Sequence, residues 1–175
     1  SLPGPAACIT ALTLSGLPTR RFCFEAFLPT DKKERQWILE ELKQETRTMI
    51  VYEAPHHLVR TLEELGAALG MERRLTLCRE LTKRYEEAYQ ATFAEALQRF
   101  ETEEPKGECV IVIEGRSIED LKREQQKSWE EMSLEDHMEV YLTQGMDRKE
   151  AMKKVAKDRG ISKRDVYQGL MERDE

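Results

Sequence analysis

The chain has 175 residues, of which 39% are apolar, so it can bury the core of one domain with a small appendage. Acidic residues outnumber basic residues by 34 to 28, which argues against a protein that coats nucleic acid with its whole surface. The apolar runs are too short for a transmembrane helix, and no segment resembles a signal peptide.

Helix and strand patterns alternate over the first two thirds of the chain. We expect helices at 6–15, 31–45, 55–69 and 93–101, and strands at 21–27, 48–52, 74–80, 85–92 and 108–114. This order predicts an α/β lobe over residues 1–116. Its mixed sheet would combine parallel crossovers with one antiparallel hairpin.

The pattern changes after Gly115, where strand signals cease. Residues 117–131 are dense in charge and are interpreted as a linker or a solvated helix. Residues 132–175 predict three short helices whose first turns follow Ser133, Asp147 and Ser162. The last two are joined by a short turn at Gly160, so we expect a small all-α tail that resembles a helix-turn-helix.

Positive charge is concentrated in this tail. Residues 146–164 contain eight basic and three acidic residues, a local excess of five positive charges in a chain of net charge −6. A solvated helix face and a phosphate-contacting module are equally compatible with this pattern. The candidate RNA contacts are Lys153, Lys154, Lys157, Lys163 and Arg164.

Four polar clusters stand at the ends of predicted elements, where open α/β sheets bind ligands. They are Pro3–Ala7, Tyr52–His57, Arg79–Lys83 with Glu86, and Gly107–Glu108 with Glu114–Gly115. Taken singly, each also fits a turn, a pair of surface histidines or a surface ion-pair cluster.

The spacing of the glycines and cysteines argues against two kinds of site. Nine glycines form no phosphate-binding loop, and four cysteines form no Cys-x-x-Cys pair. We therefore expect reduced thiols in a cytoplasmic protein and no metal site.

In this order, the clusters resemble the C-terminal lobe of the tetrapyrrole methylase superfamily and, within it, the 16S ribosomal RNA 2′-O-ribose (cytidine) methyltransferase I family. The resemblance covers about residues 1–116. It rests on Leu2–Leu12 with Ser15–Pro18, Phe22–Pro29, Tyr52–His56, Arg79–Lys83 with Glu86, and Gly107–Gly115.

The resemblance implies a dimeric enzyme of two α/β lobes that binds S-adenosylmethionine between them. Such enzymes methylate a ribose 2′-hydroxyl in the decoding region of the small ribosomal subunit. The glycine-rich and Asp-Ala-Gly-Thr-Pro-like motifs of the first lobe do not occur here, and residue 1 is Ser. The sequence is therefore interpreted as the second lobe and tail of a longer enzyme, inactive alone.

The resemblance implies which residues form the site, one matching position at a time. The cofactor would contact Ala6 and Ala7 after the Gly4 turn, and Glu53 after the strand-ending Tyr52. Ala91 stands where relatives commonly have a glycine near adenine, so its added methyl weakens that assignment. The candidate catalytic residues are His56, Arg79, Glu80, Lys83 and Glu86, which could equally brace the hairpin and the dimer.

Two other function classes remain open. The first is a superfamily methyltransferase that acts on a small molecule of the tetrapyrrole type. The second is a non-enzymatic module that binds nucleic acid through its tail. The basic tail and the Arg-Glu-Leu-Thr-Lys motif favour RNA over both alternatives.

Overall fold

The computed structural model describes residues 4–171. The chain forms two compact units, and the boundary along the sequence lies between Arg116 and Ser117. The division falls where the sequence changes from alternating helices and strands to helices alone. Each unit is described separately below.

The first unit contains one sheet, flanked by helices on both faces. The helices are α1 (Ala7–Leu14), α2 (Lys32–Leu42), α3 (Leu58–Leu69) and α4 (Phe93–Phe100), with a 3-10 turn at Pro55–His57 before α3. The strands are β1 (Phe22–Phe27), β2 (Thr48–Glu53), β3 (Arg74–Arg79), β4 (Glu87–Thr92) and β5 (Cys109–Ile113).

The strand order across the sheet is β1-β2-β5-β3-β4. β1 and β2 are parallel, whereas the β2–β5, β5–β3 and β3–β4 pairs are antiparallel. The expected α/β class is thus confirmed, with a mixed sheet and the β3–β4 hairpin.

Two apolar layers explain why the central strands have continuous apolar sequences. Met49, Val51 and Ile111 belong to the larger core, which includes residues of α2, α3 and α4. Ile50 and Val112 belong to a second core with residues of α1. Because β2 and β5 are buried on both faces, their residues cannot alternate between apolar and polar.

Strand direction brings several loops to one side of the sheet. Cys109 at the start of β5 is paired with Glu53 at the end of β2 and with Arg79 at the end of β3. The ends of β1, β2 and β3 therefore share one edge, which we call the carboxyl edge. Arg74 and Ala91 lie toward the other, opposite edge.

The second unit contains α5 (Ile118–Glu131), α6 (Leu134–Thr143), α7 (Arg148–Arg159) and α8 (Lys163–Met171). The segment interpreted as a linker or solvated helix is therefore helical over α5, and α5 contacts α7. Ser117, Ser133 and Asp147 cap the first three helices, each accepting backbone hydrogen bonds.

A small apolar core joins the helices of this unit. It contains Met138, Ala151, Val155 and Val166, all nearly inaccessible to solvent. Gly160 ends α7 in the left-handed region with φ of 66°, which lets the chain turn sharply into α8. Among residues 4–171, no helix is long and apolar enough to cross a membrane.

Candidate functional site

The carboxyl edge gathers two of the sequence-predicted clusters and half of a third. The Tyr52–His57 segment contains the last two residues of β2 and the 3-10 turn after it, and the loop of residues 80–86 connects β3 to β4. Gly107 and Glu108 precede β5, and Glu108 accepts a hydrogen bond from the Glu80 amide at 3.4 Å. The topology thus places these polar segments side by side.

A cavity of about 470 Å³ opens at this edge, beside the end of β2. Its volume lies in the range of small-molecule sites. The residues that line it are Phe27, Leu28, Pro29, Thr30, Arg35, Glu53, Ala54, His57, Arg60 and Thr61.

A buried polar network forms one wall of this cavity. Arg35 Nη2 donates to Thr61 Oγ1 at 2.7 Å, and Thr61 Oγ1 donates to Glu53 Oε2 at 2.6 Å. The other oxygen of Glu53 accepts from the Ala54 amide at 2.9 Å. The Glu53 carboxylate is thus held in place, so a ligand contact at this position would use the backbone.

The 80–86 loop has an unusual backbone. Glu80 and Thr82 have φ of 50° and 64°, a region that residues other than glycine rarely adopt and that β-branched Thr disfavours most. The Thr82 amide donates to Glu86 Oε2 at 2.6 Å, and the Lys83 amide donates to the Glu80 carbonyl at 2.9 Å. Strain held by such bonds is concentrated at functional sites.

Three predicted catalytic residues lie in this loop. Lys83 Nζ is 3.2 Å from Glu80 Oε1 and 3.9 Å from a carboxylate oxygen of Glu108. Glu86 is exposed and holds the loop through Thr82. The structure therefore brings Glu80, Lys83 and Glu86 together.

Gly107 leaves room for the Glu80 side chain of the 80–86 loop. Its φ is 78°, and an added Cβ would overlap the carboxyl group of Glu80. The positive φ favours glycine here, and a larger residue would also have to displace the Glu80 side chain.

Arg79 faces a different set of partners. Its guanidinium pairs with Glu87, the residue opposite it on β4, and Glu87 also pairs with Arg99 at 2.9 Å. Partial burial raises the pKa of Glu87, but hydrogen bonds from Arg79 and Arg99 outweigh it and hold that pKa below its usual range. The Arg79 guanidinium therefore joins β3 to β4 through Glu87.

The two adjacent histidines differ in position. His57 lines the cavity, whereas His56 does not, and both rings are exposed with centroids 4.1 Å apart. The sequence singled out His56 and passed over His57 as a site residue.

The start of α1 lies near the end of β2, because Cys8, Tyr52 and Leu81 pack against the same apolar cluster. Gly4, Ala6 and Ala7 are exposed, and no side chain caps the helix. Burial and a hydrogen bond with Cys8 raise the pKa of Tyr52. Leu2 and Pro3 of the predicted motif lie outside the described residues.

Ala91 is not brought to the carboxyl edge. It pairs with Leu75 near the opposite edge, four residues along β3 from Arg79 and about 13 Å away. It lines a separate cavity of about 250 Å³ with Ser15, Gly16 and Gln90. Glu114 lies at this opposite edge too, paired with Arg74.

The cysteines are free thiols, and Cys78 and Cys109 are buried. All four described thiols are free, and burial raises the pKa of Cys78 and of Cys109 to about 11. Residues 4–171 contain no group of three or more His, Cys, Asp and Glu residues that could hold a metal ion.

The candidate RNA contacts of the second unit are all exposed. Lys153, Lys154 and Lys157 lie on the side of α7 away from its buried residues, and Lys163 and Arg164 begin α8. Lys154 Nζ lies 5.9 Å from the centroid of the Tyr141 ring.

Sequence reasoning missed several residues near the site. Tyr85 was not named as a site residue and was expected, with Glu86, to begin a strand, but β4 begins at Glu87 because Glu86 bonds back to Lys83 and Thr82 in the loop. Tyr85 is 70% exposed, with the Arg84 guanidinium 5.6 Å from its ring. The available signal was an aromatic residue directly after two basic residues, Lys83 and Arg84, at the start of the predicted strand.

Comparison with known proteins identifies the family. The model of the Tetrapyrrole (Corrin/Porphyrin) Methylases matches residues 1–97, more than half of the 175 residues. The chain belongs to the tetrapyrrole methylase family.

Individual relatives match both units of the chain. Ribosomal RNA small subunit methyltransferase I of Halalkalibacterium halodurans is 43% identical over 166 residues, which cover 95% of this chain and 56% of that protein. The Synechocystis protein of the same name is 42% identical over 171 residues, covering 98% and 60%. The Bacillus subtilis protein is 42% identical over 166 residues, covering 95% and 56%.

The chain therefore spans little more than half the length of these relatives. Among solved structures, the methyltransferase CobJ is similar with a TM-score of 0.47 and 20% identity, over 66% of this chain and 52% of CobJ.

Proposed function

We propose that this chain is the second lobe and helical tail of an enzyme that methylates the ribose 2′-hydroxyl of a cytidine in 16S ribosomal RNA, with S-adenosylmethionine as methyl donor. The enzyme would act in the cytoplasm as a homodimer, as the family resemblance implies.

One observation carries this proposal over the alternatives. The tetrapyrrole methylase model ends at residue 97, whereas similarity to the ribosomal RNA methyltransferases of Halalkalibacterium halodurans and Synechocystis continues through 95–98% of the chain. The helical unit, with its basic residues, is therefore shared with proteins named for an RNA substrate. This favours RNA over a small tetrapyrrole substrate, and a methyltransferase over a binding module without activity.

The residues at the start of α1 fit one side of a cofactor. Ala6 and Ala7 are small and exposed, and the helix start has no side-chain cap. A ligand could therefore approach the backbone amides of the first turn closely. When bound, S-adenosylmethionine supplies an electrophilic methyl group on a positively charged sulfur.

The 80–86 loop would hold the acceptor ribose. Loss of the hydroxyl proton requires a base within hydrogen-bond reach, and Glu80 and Glu86 are the carboxylates that the loop presents. Lys83, which pairs with Glu80, would contact a backbone phosphate. Arg79 would act by bracing the hairpin through Glu87, and an in-line arrangement of the acceptor oxygen would supply most of the rate.

The tip of the same loop offers an RNA contact. Tyr85 is exposed next to Arg84 and Lys83, a combination of an aromatic ring and cations that suits unpaired nucleotides. The cavity beside Glu53 lies at the same edge of the sheet and would accept a second part of the substrate or cofactor.

Calorimetry tests whether the cofactor site is shared with a further lobe. The 175-residue chain is expected to show no measurable binding of S-adenosylmethionine, because its contacts cover only one side of the ligand. Micromolar binding would instead show that this lobe holds a complete site.

Methylation by a full-length protein that carries this sequence tests the substrate. Purified small ribosomal subunits are expected to receive the methyl group on 16S RNA. Transfer to a tetrapyrrole, with no transfer to RNA, would favour the small-molecule alternative.

A further inference from the structure

The second unit contains a groove that the methyl-transfer site does not use. It lies between α5 and α7 and has a volume of about 380 Å³. Four of its residues form one stripe of α5 at helical spacing, and two come from α7. They are Lys122, Gln125, Gln126, Trp129, Lys157 and Asp158.

Trp129 lines this groove and packs against a neighbouring ring. Its indole is stacked on His137 with the ring centroids 4.0 Å apart and the planes 5° apart. Gln126 Nε2 donates to the Arg159 carbonyl at 3.3 Å, which ties α5 to α7 beside the ring. A half-buried aromatic ring with a fixed orientation loses little entropy when a second planar group stacks on it.

A buried polar atom lies behind the groove. Nδ1 of His137 accepts from Arg159 Nε at 3.1 Å, so the ring proton is on Nε2. His137 is fully buried, and its Nε2 has no hydrogen-bond partner among residues 4–171. The nearest carboxylate oxygen, on Asp158, is 3.7 Å away and belongs to a residue that lines the groove. An unsatisfied buried donor is typical of a site completed by a ligand or by ordered water.

The side chains that line the groove indicate which class of ligand it would bind. Lys122 and Lys157 are exposed cations at its border, suited to phosphate oxygens. The Gln125 amide can both donate to and accept from a base edge, and the Gln126 carbonyl oxygen can accept. An aromatic ring between cations and amides is the combination with which proteins bind single-stranded nucleic acid.

We propose that this groove binds one unpaired nucleotide of an RNA strand, its base stacked on Trp129 and its phosphates beside Lys122 and Lys157. The inference rests on the proposed function only for the choice of RNA as the ligand. It adds a base-recognition site to a unit in which the sequence indicated phosphate contacts alone.

Fluorescence tests this site directly, because the chain has only two tryptophans. Trp37 is 66% exposed in the first unit, so Trp37→Phe leaves Trp129 as the single reporter. An unstructured hexameric oligoribonucleotide is expected to quench Trp129 emission, whereas an RNA duplex of equal length is expected to quench it far less. Unchanged emission at saturating hexamer would overturn the proposal.

Charge variants inside and outside the groove distinguish binding in the groove from general electrostatic attraction of the RNA. Lys122→Glu and Lys157→Glu, made singly, are each expected to weaken binding of a labelled hexamer about 5-fold, because each removes one phosphate contact. Lys127→Glu changes an exposed charge on α5 outside the groove and is expected to have less than about a twofold effect. Equal losses in the Lys122 and Lys127 variants would refute a localised site.

Aromatic variants test stacking. Trp129→Leu is expected to weaken hexamer binding about 10-fold, whereas Trp129→Phe retains most of the affinity because it keeps an aromatic face. Circular dichroism of both variants checks that the helices remain folded, and equal affinities in two folded variants would contradict stacking. Hexamer binding without methylation of 16S RNA would refute only the proposed function, and methylation without groove binding only this inference.

Discussion

Lys83 Nζ lies 3.2 Å from Glu80 Oε1, in a loop where Glu80 itself has a positive φ. The ion pair and the strained backbone occur at the same few residues, at the edge of the sheet where the cavity opens. Such a combination is costly for a simple turn and is expected where the loop must present charged groups in a fixed geometry.

Replacing Glu80 tests its proposed chemistry. Glu80→Gln keeps the size of the side chain but removes the proton acceptor, so the full-length enzyme is expected to lose about 100-fold in kcat with little change in KM. Glu108→Gln removes a neighbouring carboxylate whose side chain is 92% exposed, and less than about a twofold change is expected. Equal activities of the two variants would remove Glu80 from the list of candidate bases.

Gly107 is expected to be intolerant of substitution. Gly107→Ala adds a Cβ that overlaps Glu80 and also strains a backbone with φ of 78°. Gly70→Ala supplies the control, because Gly70 has φ of 106° but nothing within 4 Å of an added Cβ. Urea unfolding should show that Gly107→Ala costs about 2 kcal/mol more than Gly70→Ala. Equal costs would mean that Glu80 moves aside freely.

The Thr61 hydroxyl links two charged side chains and should contribute more stability than an ordinary buried hydroxyl. Thr61→Val removes its bonds to Arg35 and Glu53, so we expect a loss of about 2 kcal/mol in the free energy of unfolding. Thr76→Val removes one bond to the Ser15 carbonyl from an equally buried threonine and should cost about 1 kcal/mol. The reverse order, measured by denaturant unfolding, would contradict this account of the cavity wall.

The second unit should lose stability on mild acidification because of His137. Burial, reinforced by the charge of Arg159, lowers the pKa of His137 below 6.5, although Asp158 opposes the shift. Trp129 and Tyr141 also pack near its ring. Between 6.5 and the lowered pKa, the unfolded chain binds more protons than the folded one, so stability falls as the pH falls.

Single-tryptophan fluorescence can follow this transition within the second unit. In the Trp37→Phe background, the unfolding midpoint seen by Trp129 should fall between about pH 7.5 and about pH 5.5. His137→Phe should flatten this dependence, whereas His56→Gln, an exposed change in the first unit, should preserve it. A slope that persists in His137→Phe would assign the pH dependence to other groups.

The fold was largely predictable because its signals are local. The apolar run at Cys109–Ile113 has the pattern of a strand buried on both faces, and turns at Gly70 and Gly160 mark helix ends. The start of β4 was misplaced by two residues, since a hydrogen bond between the Thr82 amide and Glu86 competes with strand pairing there.

The site was less predictable because it depends on pairing between distant strands. Adjacent sequence positions suggested that Arg79 would act with Glu80 and Lys83, but side chains alternate across a strand and Arg79 meets Glu87 instead. Ala91 resembled a cofactor contact by its motif, yet the register of the hairpin places it near the opposite edge. Neither pairing can be read from local spacing.

The position of the transferred methyl group tests the central claim most directly. Small ribosomal subunits would be incubated with the full-length protein and isotopically labelled S-adenosylmethionine, and nucleosides of the 16S RNA analysed by mass spectrometry. The account predicts label in 2′-O-methylcytidine at a single position. Label on a base, or no label in RNA together with methylation of a tetrapyrrole, would contradict it.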